Sequence, residues 1–305
     1  MSGRRYLLIS PCRNEEQYMR QTLETVVAQS IRPARWVIVD DGSSDETPKI
    51  LAEYAALHDW ITIVTRSDRG HRAVGPGVVD AFYAGYESID PDAYDYLCKL
   101  DLDLRLPTEY FALLMERMEK NSAIATCSGK AYIERGGWLV NEGHGDETSI
   151  GASKFYRVSC FKKLGGFVRE VMWDGIDCHR CRMNGWIACS WDEPELRFVH
   201  LRPEGTSQKN VFAGRRRHGY GQYFMGTGFL YMLASAVFRL KEKPYLIGSL
   251  AMLSGWLSGL LQRKPRYADR EFRRFLRHYQ WRALLVGKRR AVEEIYRAHG
   301  VSAEY

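Results

Sequence analysis

Apolar and polar positions along this chain of 305 residues alternate in two rhythms, one of period two over short runs and one of period 3.6 over longer ones. "YLLIS" (6–10) predicts a short buried strand, and "PCRNEEQYMRQTLETVVAQS" then predicts a turn and a helix, with Asn14 as N-cap and Leu23, Val26 and Val27 on one face. "WVIVDDGSSDETPKILAEYA" repeats the cycle: a strand over 36–39, a polar turn, and a helix running to about Leu57. "ITIVTR" (61–66), a glycine-rich loop and a helix through "VVDAFYAGYE" make the third cycle, and "YDYLCKLDLDL" is the fourth strand. Within it Leu100, Leu102 and Leu104 face one way in an extended chain, and Asp101 and Asp103 face the other. Strand alternating with helix predicts a mainly parallel sheet with helices on both faces, whose ligands gather beyond the carboxyl ends of the strands. Each strand ends in polar residues: Pro11 to Glu15, Asp40 and Asp41, Arg66 to Arg72, and the Asp101–Asp103 couplet.

After about residue 121 the pattern loosens into short strands and loops, until "WDGIDCHRCRMNGW" (173–186) predicts a compact helical unit. Asp174 suits its N-cap, Asp177 stands three residues on as in a capping box, and Gly185 lies where a left-handed residue ends a helix. Two uncharged apolar runs follow at 222–238 and 244–261, separated by "RLKEK". Both are near or below the ~20 residues of a spanning helix, and spanning by both would leave the basic link on the outer side. They are therefore expected to lie in or dip into the cytoplasmic leaflet. Gly255 and Gly259 beside Ser254 and Ser258 would let helices approach closely. Phe272, Phe275, Leu276 and Tyr279 share a helical face ringed by Arg270, Arg273, Arg274 and Arg277, the composition of an interfacial helix. The competing reading is an ordinary apolar helical subdomain.

The net charge of +7 sharpens this picture once it is located. Residues 262–305 hold 12 Lys and Arg against 5 Asp and Glu, and the preceding 261 residues balance at 32 of each sign. A neutral body with a basic end argues against nucleic acid and for attachment of that end to an anionic surface. Seven cysteines, an odd number in scattered contexts, argue for reduced thiols, and "MSGRRYLLIS" has no secretory h-region, so a cytoplasmic setting is expected. Cys178, Cys181 and Cys189 with His179 fit no common zinc spacing and read as packing thiols.

In order, "PCRNEE", "VDDGSSDET", "KLDLDLRLP", "FYRVSCFKKLGGF", "WDGIDCHRCRMNGW" and "FVHLRPEGTS" resemble the family 2 glycosyltransferases over roughly the first two thirds of the chain. The resemblance implies a GT-A fold, that is, a Rossmann-like mixed α/β sheet. It also implies transfer from a nucleotide-diphosphate sugar (UDP- or GDP-linked) with inversion, and a divalent cation, Mg or Mn. The expected division is a catalytic domain over 1–214, with a nucleotide-binding half 1–105 and an acceptor half 106–214, and a C-terminal helical, membrane-associated region over 215–305. In the family the paired aspartates hold the cation that bridges the donor's phosphates, which implies Asp103 as direct ligand and Asp101 as its partner towards ribose or bound water.

Asp40 and Asp41 close a strand apolar on both faces, where an unpaired charge is costly, so they should point into the crevice. The resemblance sets one of them on the nucleobase with Pro11, Arg13 and Glu15, although the helix dipole alone would also favour Glu15. Arg66, Arg69 and Arg72 beside glycines offer a cradle for phosphate, in a loop that departs from the usual family residues and has no strict phosphate-loop spacing. For the base, an arginine six residues on (Arg180) and a glycine eleven residues on (Gly185) align Asp174, with Trp173 in place of the usual glutamate and Asp177 as competitor. His200 matches a position where some members place a histidine on the metal or diphosphate. Arg202 and the Arg215–Arg217 run suit either the diphosphate or lipid headgroups.

A membrane-seated transferase suits a polyprenyl-diphosphate-linked saccharide acceptor, at the cytoplasmic side of the cell membrane, as a peripheral or monotopic protein. The QxxRW element of processive synthases is absent; "QWR" at 280–282 has neither its spacing nor its position, so one sugar per encounter is expected. The alternatives are transfer directly to polyprenyl phosphate, a sugar-nucleotide nucleotidyltransferase, which should carry a glycine-rich loop after the first strand where this chain has "SPCRNEE", and a non-enzymatic basic adaptor, which leaves the polar strand ends unexplained.

Overall fold

The computed structural model describes residues 4–68, 70, 75–202, 211–241 and 245–302, and divides into two compact units. The first, residues 1–169 and 186–203 in the main, is a sheet unit. It begins with β1 (Tyr6–Cys12), α1 (Met19–Val27), β2 (Arg35–Asp40), α2 (Thr47–Leu57), β3 (Ile61–Thr65), α3 (Pro76–Tyr86) and β4 (Tyr96–Leu100). These are the predicted cycles, and β3, β2, β1 and β4 are neighbours in that order and all parallel. Leu7, Leu8 and Ile9 are fully buried, as are Trp36 and Ile38, so β1 and β2 are covered on both faces, the reason they read as unbroken apolar runs. Each such side chain contributes about 1.5–3 kcal/mol of burial.

The rest of the sheet is mixed. β5 (Leu104–Arg105), α4 (Tyr110–Lys120), β6 (Ile124–Arg135), β7 (Trp138–Asn141), β8 (Ser153–Arg157) and α5 (Val158–Lys163) follow, and this unit resumes after Gly185 with β9 (Ile187–Trp191) and β10 (Arg197–His200). β8 enters antiparallel between β4 and β6, and β10 lies between β6 and β5. The expected fourth strand is shorter than its alternation suggested. Pairing stops at Leu100, residues 101–103 are irregular, and only Leu104 and Arg105 return to the sheet. The burial alternation survives without the ladder, because Leu100, Leu102, Leu104 and Leu106 are all buried. Asn14 does not cap α1. It adopts φ 53° and binds the β2–α2 turn, while Tyr18 occupies the cap position.

The second unit holds residues 170–185 and most of 204–303: α6 (Trp173–Met183), α7 (Val211–Met225), α8 (Phe229–Phe238), α9 (Tyr245–Leu261), α10 (Arg270–Val286) and α11 (Lys288–Ala298). The run 222–238 is not one helix, since Gly226 at φ 94° ends α7 and Gly228 precedes α8. Met232, Ala236, Met252 and Trp256 form the centre with Tyr223. The small residues do bring helices together: a Cβ on Gly255 would sit 1.9 Å from the Arg216 carbonyl oxygen, so α7 and α9 touch backbone to backbone there. The expected interfacial face of α10 is turned inward. Phe272, Leu276 and Tyr279 are buried against the protein, with His179 of α6 meeting the Tyr279 ring at 4.9 Å. Among the described residues no helix is long and apolar enough to cross a membrane.

Candidate active site

The parallel order β3–β2–β1–β4 aligns four carboxyl ends along one edge of the sheet unit. Past β1 and β2 the chain is stitched by its own polar groups. Asn14 N–H donates to Ser43 Oγ (2.9 Å), Ser44 N–H donates to Asn14 Oδ1 (2.9 Å), and Glu15 N–H donates to Thr47 Oγ1 (2.8 Å). Pro11 closes β1 opposite Val39. Asp40 accepts from Ser43 N–H at 2.9 Å and so shapes its own turn, whereas Asp41 accepts from Arg66 Nη1 at 2.9 Å. Arg13 reaches the Asp41 carbonyl and Asp68 Oδ1, both at 2.6 Å. Gly42 makes this crossing possible: at φ 72° a Cβ would lie 2.5 Å from Asp68 Cα. Burial beside Asp40, Glu15, Asp41 and Asp45 pushes the Cys12 thiol well up, a sign of how acidic this corner is. Arg69 and Arg72 lie outside the described residues.

The Asp101–Asp103 segment lies one strand over. Lys99, 3% exposed, donates to Asp101 Oδ1 at 2.5 Å and to the Gly151 carbonyl at 2.9 Å. Asp103 is raised above the ordinary carboxylate range, first by burial and then by the charge of Asp101, against the pull of His200, Arg202 and Lys99. Arg202 sits between two carboxylates, bonding Glu15 Oε2 and lying 3.6 Å (Nε) from Asp103 Oδ2, with its guanidinium 4.8 Å over the Tyr18 ring. His200 pairs Nδ1 with Glu142 Oε2 at 2.5 Å, and both side chains are buried.

Among the described residues no three His, Cys, Asp or Glu surround a common point. Asp101, Asp103 and His200 are thus not a closed cage. The donor set still fits a hard cation of the kind held by one or two carboxylates with substrate phosphates completing the shell. Asp103 supplies the electrostatic reason, since a partly buried carboxylate with a carboxylate neighbour favours added positive charge.

In the helical unit α6 starts from Met172 at φ 63°, not from an aspartate, so the expected capping box is not formed. Asp174 stands in the first turn, half-buried, and accepts from Gly175 N–H at 2.9 Å. Asp177 is buried, and the Tyr267 hydroxyl is raised first by burial and then by the charges of Asp269 and Asp177, against the pull of Arg180. Gly185 has φ 71°, as expected of a helix end. On α7, Arg217 is half withdrawn from water, and burial lowers its pKa.

Sequence reading missed Glu142, Lys99, Lys130 and Lys154. The only hint was an unusual one: three lysines inside apolar strands.

An α/β sheet with acidic and basic strand ends at one edge is an arrangement that suits a nucleotide-sugar glycosyltransferase with a GT-A-like fold. The chain belongs to glycosyl transferase family 2, whose family model matches residues 8–172. Over 123 residues, 40% of this chain, it is 26% identical to poly-β-1,6-N-acetyl-D-glucosamine synthase of Staphylococcus epidermidis, and the match spans 27% of that protein's length. Among solved structures it is similar to the mannosyltransferase PcManGT from Pyrobaculum calidifontis in complex with GDP-Man and Mn2+ (TM-score 0.52, 15% identity, 97% of this chain and 86% of that one). It is also similar to S. aureus TarS 1–349 in complex with UDP-GlcNAc (0.53, 14%, 97% and 90%) and to GalNAc-T7 with UDP, GalNAc and Mn2+ (0.55, 15%, 89% and 56%). At these identities the structural likeness is one of fold.

Proposed function

We propose that the protein transfers a single sugar, with inversion, from a UDP- or GDP-sugar to a polyprenyl-diphosphate-linked saccharide at the cytoplasmic face of the cell membrane. The observation that carries the donor side is Asp103, a half-buried carboxylate beside Asp101 just past the carboxyl end of β4, within reach of the Glu15–Arg202 pair. Fold neighbours solved with UDP-GlcNAc, with GDP-Man and Mn2+, and with UDP and Mn2+ support a nucleotide-sugar and a divalent cation. The similarity to a polysaccharide synthase supports a saccharide acceptor.

In this reading Arg13, Asp41 and Arg66 hold the nucleoside end, and Arg202 balances the diphosphate. Asp103, with Asp101 and His200, would hold a Mg or Mn ion, which would supply Lewis-acid stabilisation to the leaving diphosphate. Asp174 takes the proton of the acceptor hydroxyl as the acceptor oxygen bonds to the anomeric carbon, and the bond from that carbon to the diphosphate oxygen breaks with its electron pair leaving on the nucleoside diphosphate. Its half-exposure suits that task better than the burial of Asp177. The deciding test is donor hydrolysis and transfer with UDP- and GDP-sugars, with and without Mn. Turnover of one donor class that vanishes on chelation is expected, and metal-independent turnover would remove the cation from the scheme. A ladder of polymer from one acceptor would end the single-addition reading.

A further inference from the structure

Among the described residues the helical unit leaves many large apolar side chains exposed. In the sheet unit the exposed large apolar residues are Leu57 and the three of β7, Trp138, Leu139 and Val140; those of the helical unit are far more numerous. On α8 Phe229, Leu230, Leu233, Val237 and Phe238 are exposed, one stripe of the helix, while Met232 and Ala236 on the opposite stripe are buried. On α9 the same holds for Leu246, Ile247, Leu250, Leu257 and Leu261 against buried Met252 and Trp256. Trp281, Leu284 and Leu285 add the end of α10, joined to α8 across an open groove of about 310 Å³ that Phe229, Leu230, Trp281 and Leu284 line. At about half exposure each such side chain leaves on the order of 100 Å² open, so together they exceed the roughly 300–600 Å² of the largest apolar patch on an ordinary monomer.

Charge selects the occupant. From 211 to 270 the chain carries ten Lys and Arg against two acids, Glu242 and Asp269. Arg239 and Lys241 close α8, Arg263, Lys264 and Arg266 follow α9, and Arg277 borders the groove. A second copy would bring the same positive rim against this one. An anionic bilayer meets both the apolar face and the rim.

We propose that the outer faces of α8 and α9, with the end of α10, are a docking surface for an anionic lipid leaflet, and that the Phe272–Tyr279 face of α10 is not. The proposal rests on the reading above for its link to a lipid-borne acceptor, and its test needs no sugar. The full chain is sedimented with phosphatidylglycerol/phosphatidylcholine vesicles and with pure phosphatidylcholine vesicles. Binding to the anionic vesicles is expected, weakened at least tenfold by Leu233→Glu with Leu250→Glu, and weakened on anionic vesicles by Arg239→Gln with Lys241→Gln. Leu57→Glu is the control and should bind as the parent does. Equal binding by all variants overturns the proposal, as does a concentration-dependent dimer in sedimentation velocity that the α8–α9 variant abolishes. Donor hydrolysis by the same variants separates the two readings: unbound but active chains leave the transferase intact, and bound but inactive ones leave the surface intact.

Discussion

Asp103→Asn should cost the enzyme its turnover without costing the fold its stability. The substitution keeps the side chain's shape and removes one charge. Asp103 lies 3.6 Å from the Arg202 guanidinium, an attraction of about 5 kcal/mol at an effective dielectric of about 20. Against it stand the burial of the carboxylate and repulsion from Asp101, and these win, because the Asp103 pKa lies above the ordinary range. The sign follows: a carboxyl whose folded pKa is raised binds its proton more tightly in the fold, so its contribution is present below about pH 4 and is lost as pH rises through the raised value. Parent and variant should therefore unfold together near pH 4, and a gap favouring the variant should open towards pH 7. A net difference of order 1 kcal/mol corresponds to about 2–4 °C. Activity moves the other way, falling by about 10²–10³, the usual cost of losing one strong electrostatic contact to the developing charge. Thermal melts of metal-free protein across that pH range, beside donor turnover with Mn, read both. A variant melting several degrees below the parent at pH 7, or retaining turnover within tenfold, would refute the reasoning.

Three further outcomes follow from named contacts. Glu142→Gln loosens the ring orientation of His200, so Mn affinity read by electron paramagnetic resonance should fall about 10–100-fold with little change in melting; unchanged affinity takes His200 off the cation. Gly42→Ala meets the Asp68 backbone at 2.5 Å, so it should cost about 1–3 kcal/mol in denaturant unfolding and raise the donor KM through the displaced Arg13–Asp68 contact. Asp174→Asn should lower kcat about 10²–10⁴-fold while leaving melting in place, whereas Asp177→Asn, inside the helical unit, should lower melting first; the reverse pattern makes Asp177 the base.

The first half of the sheet was legible because each of its signals is local. The unbroken apolar runs at β1 and β2 are covered on both faces, and Asp40 and Asp41 mark where a strand stops. The insertion of β8 between β4 and β6 was not legible, since "SKFYR" carries no sign of the distant strands it will join. Amphipathicity on α10 was read correctly as a face to be buried, but periodicity does not say whether protein or lipid buries it. The reverse error attends 222–238, where composition without charge read as one helix and Gly226 to Gly228 made it two. At the site the acidic and basic strand ends were visible as residue types. Their pairings were not, because Arg202 reaches Glu15 across 187 positions of sequence.

The buried lysines show how such long-range pairings set the site. Lys99, Lys130 and Lys154 sit on β4, β6 and β8, each 3% exposed or less, positions a local reading assigns to solvent. Their ammonium groups are satisfied by one segment: Lys99 on the Gly151 carbonyl, Lys130 on the His144 carbonyl and Asp146, Lys154 on the Ser149 carbonyl. Ile150 N–H adds a bond to Ser128 Oγ at 2.9 Å. Three charges desolvated in this way would be costly without these acceptors, so the segment 144–151 is held to the sheet as firmly as the lysines are held to it. The segment is flanked by Glu142, which pairs with His200, and by Ala152, whose carbonyl takes the Asp101 N–H at 2.8 Å. The lysine anchors thus hold the chain that flanks both the histidine's partner and the first aspartate of the couplet, while Asp103 faces Arg202.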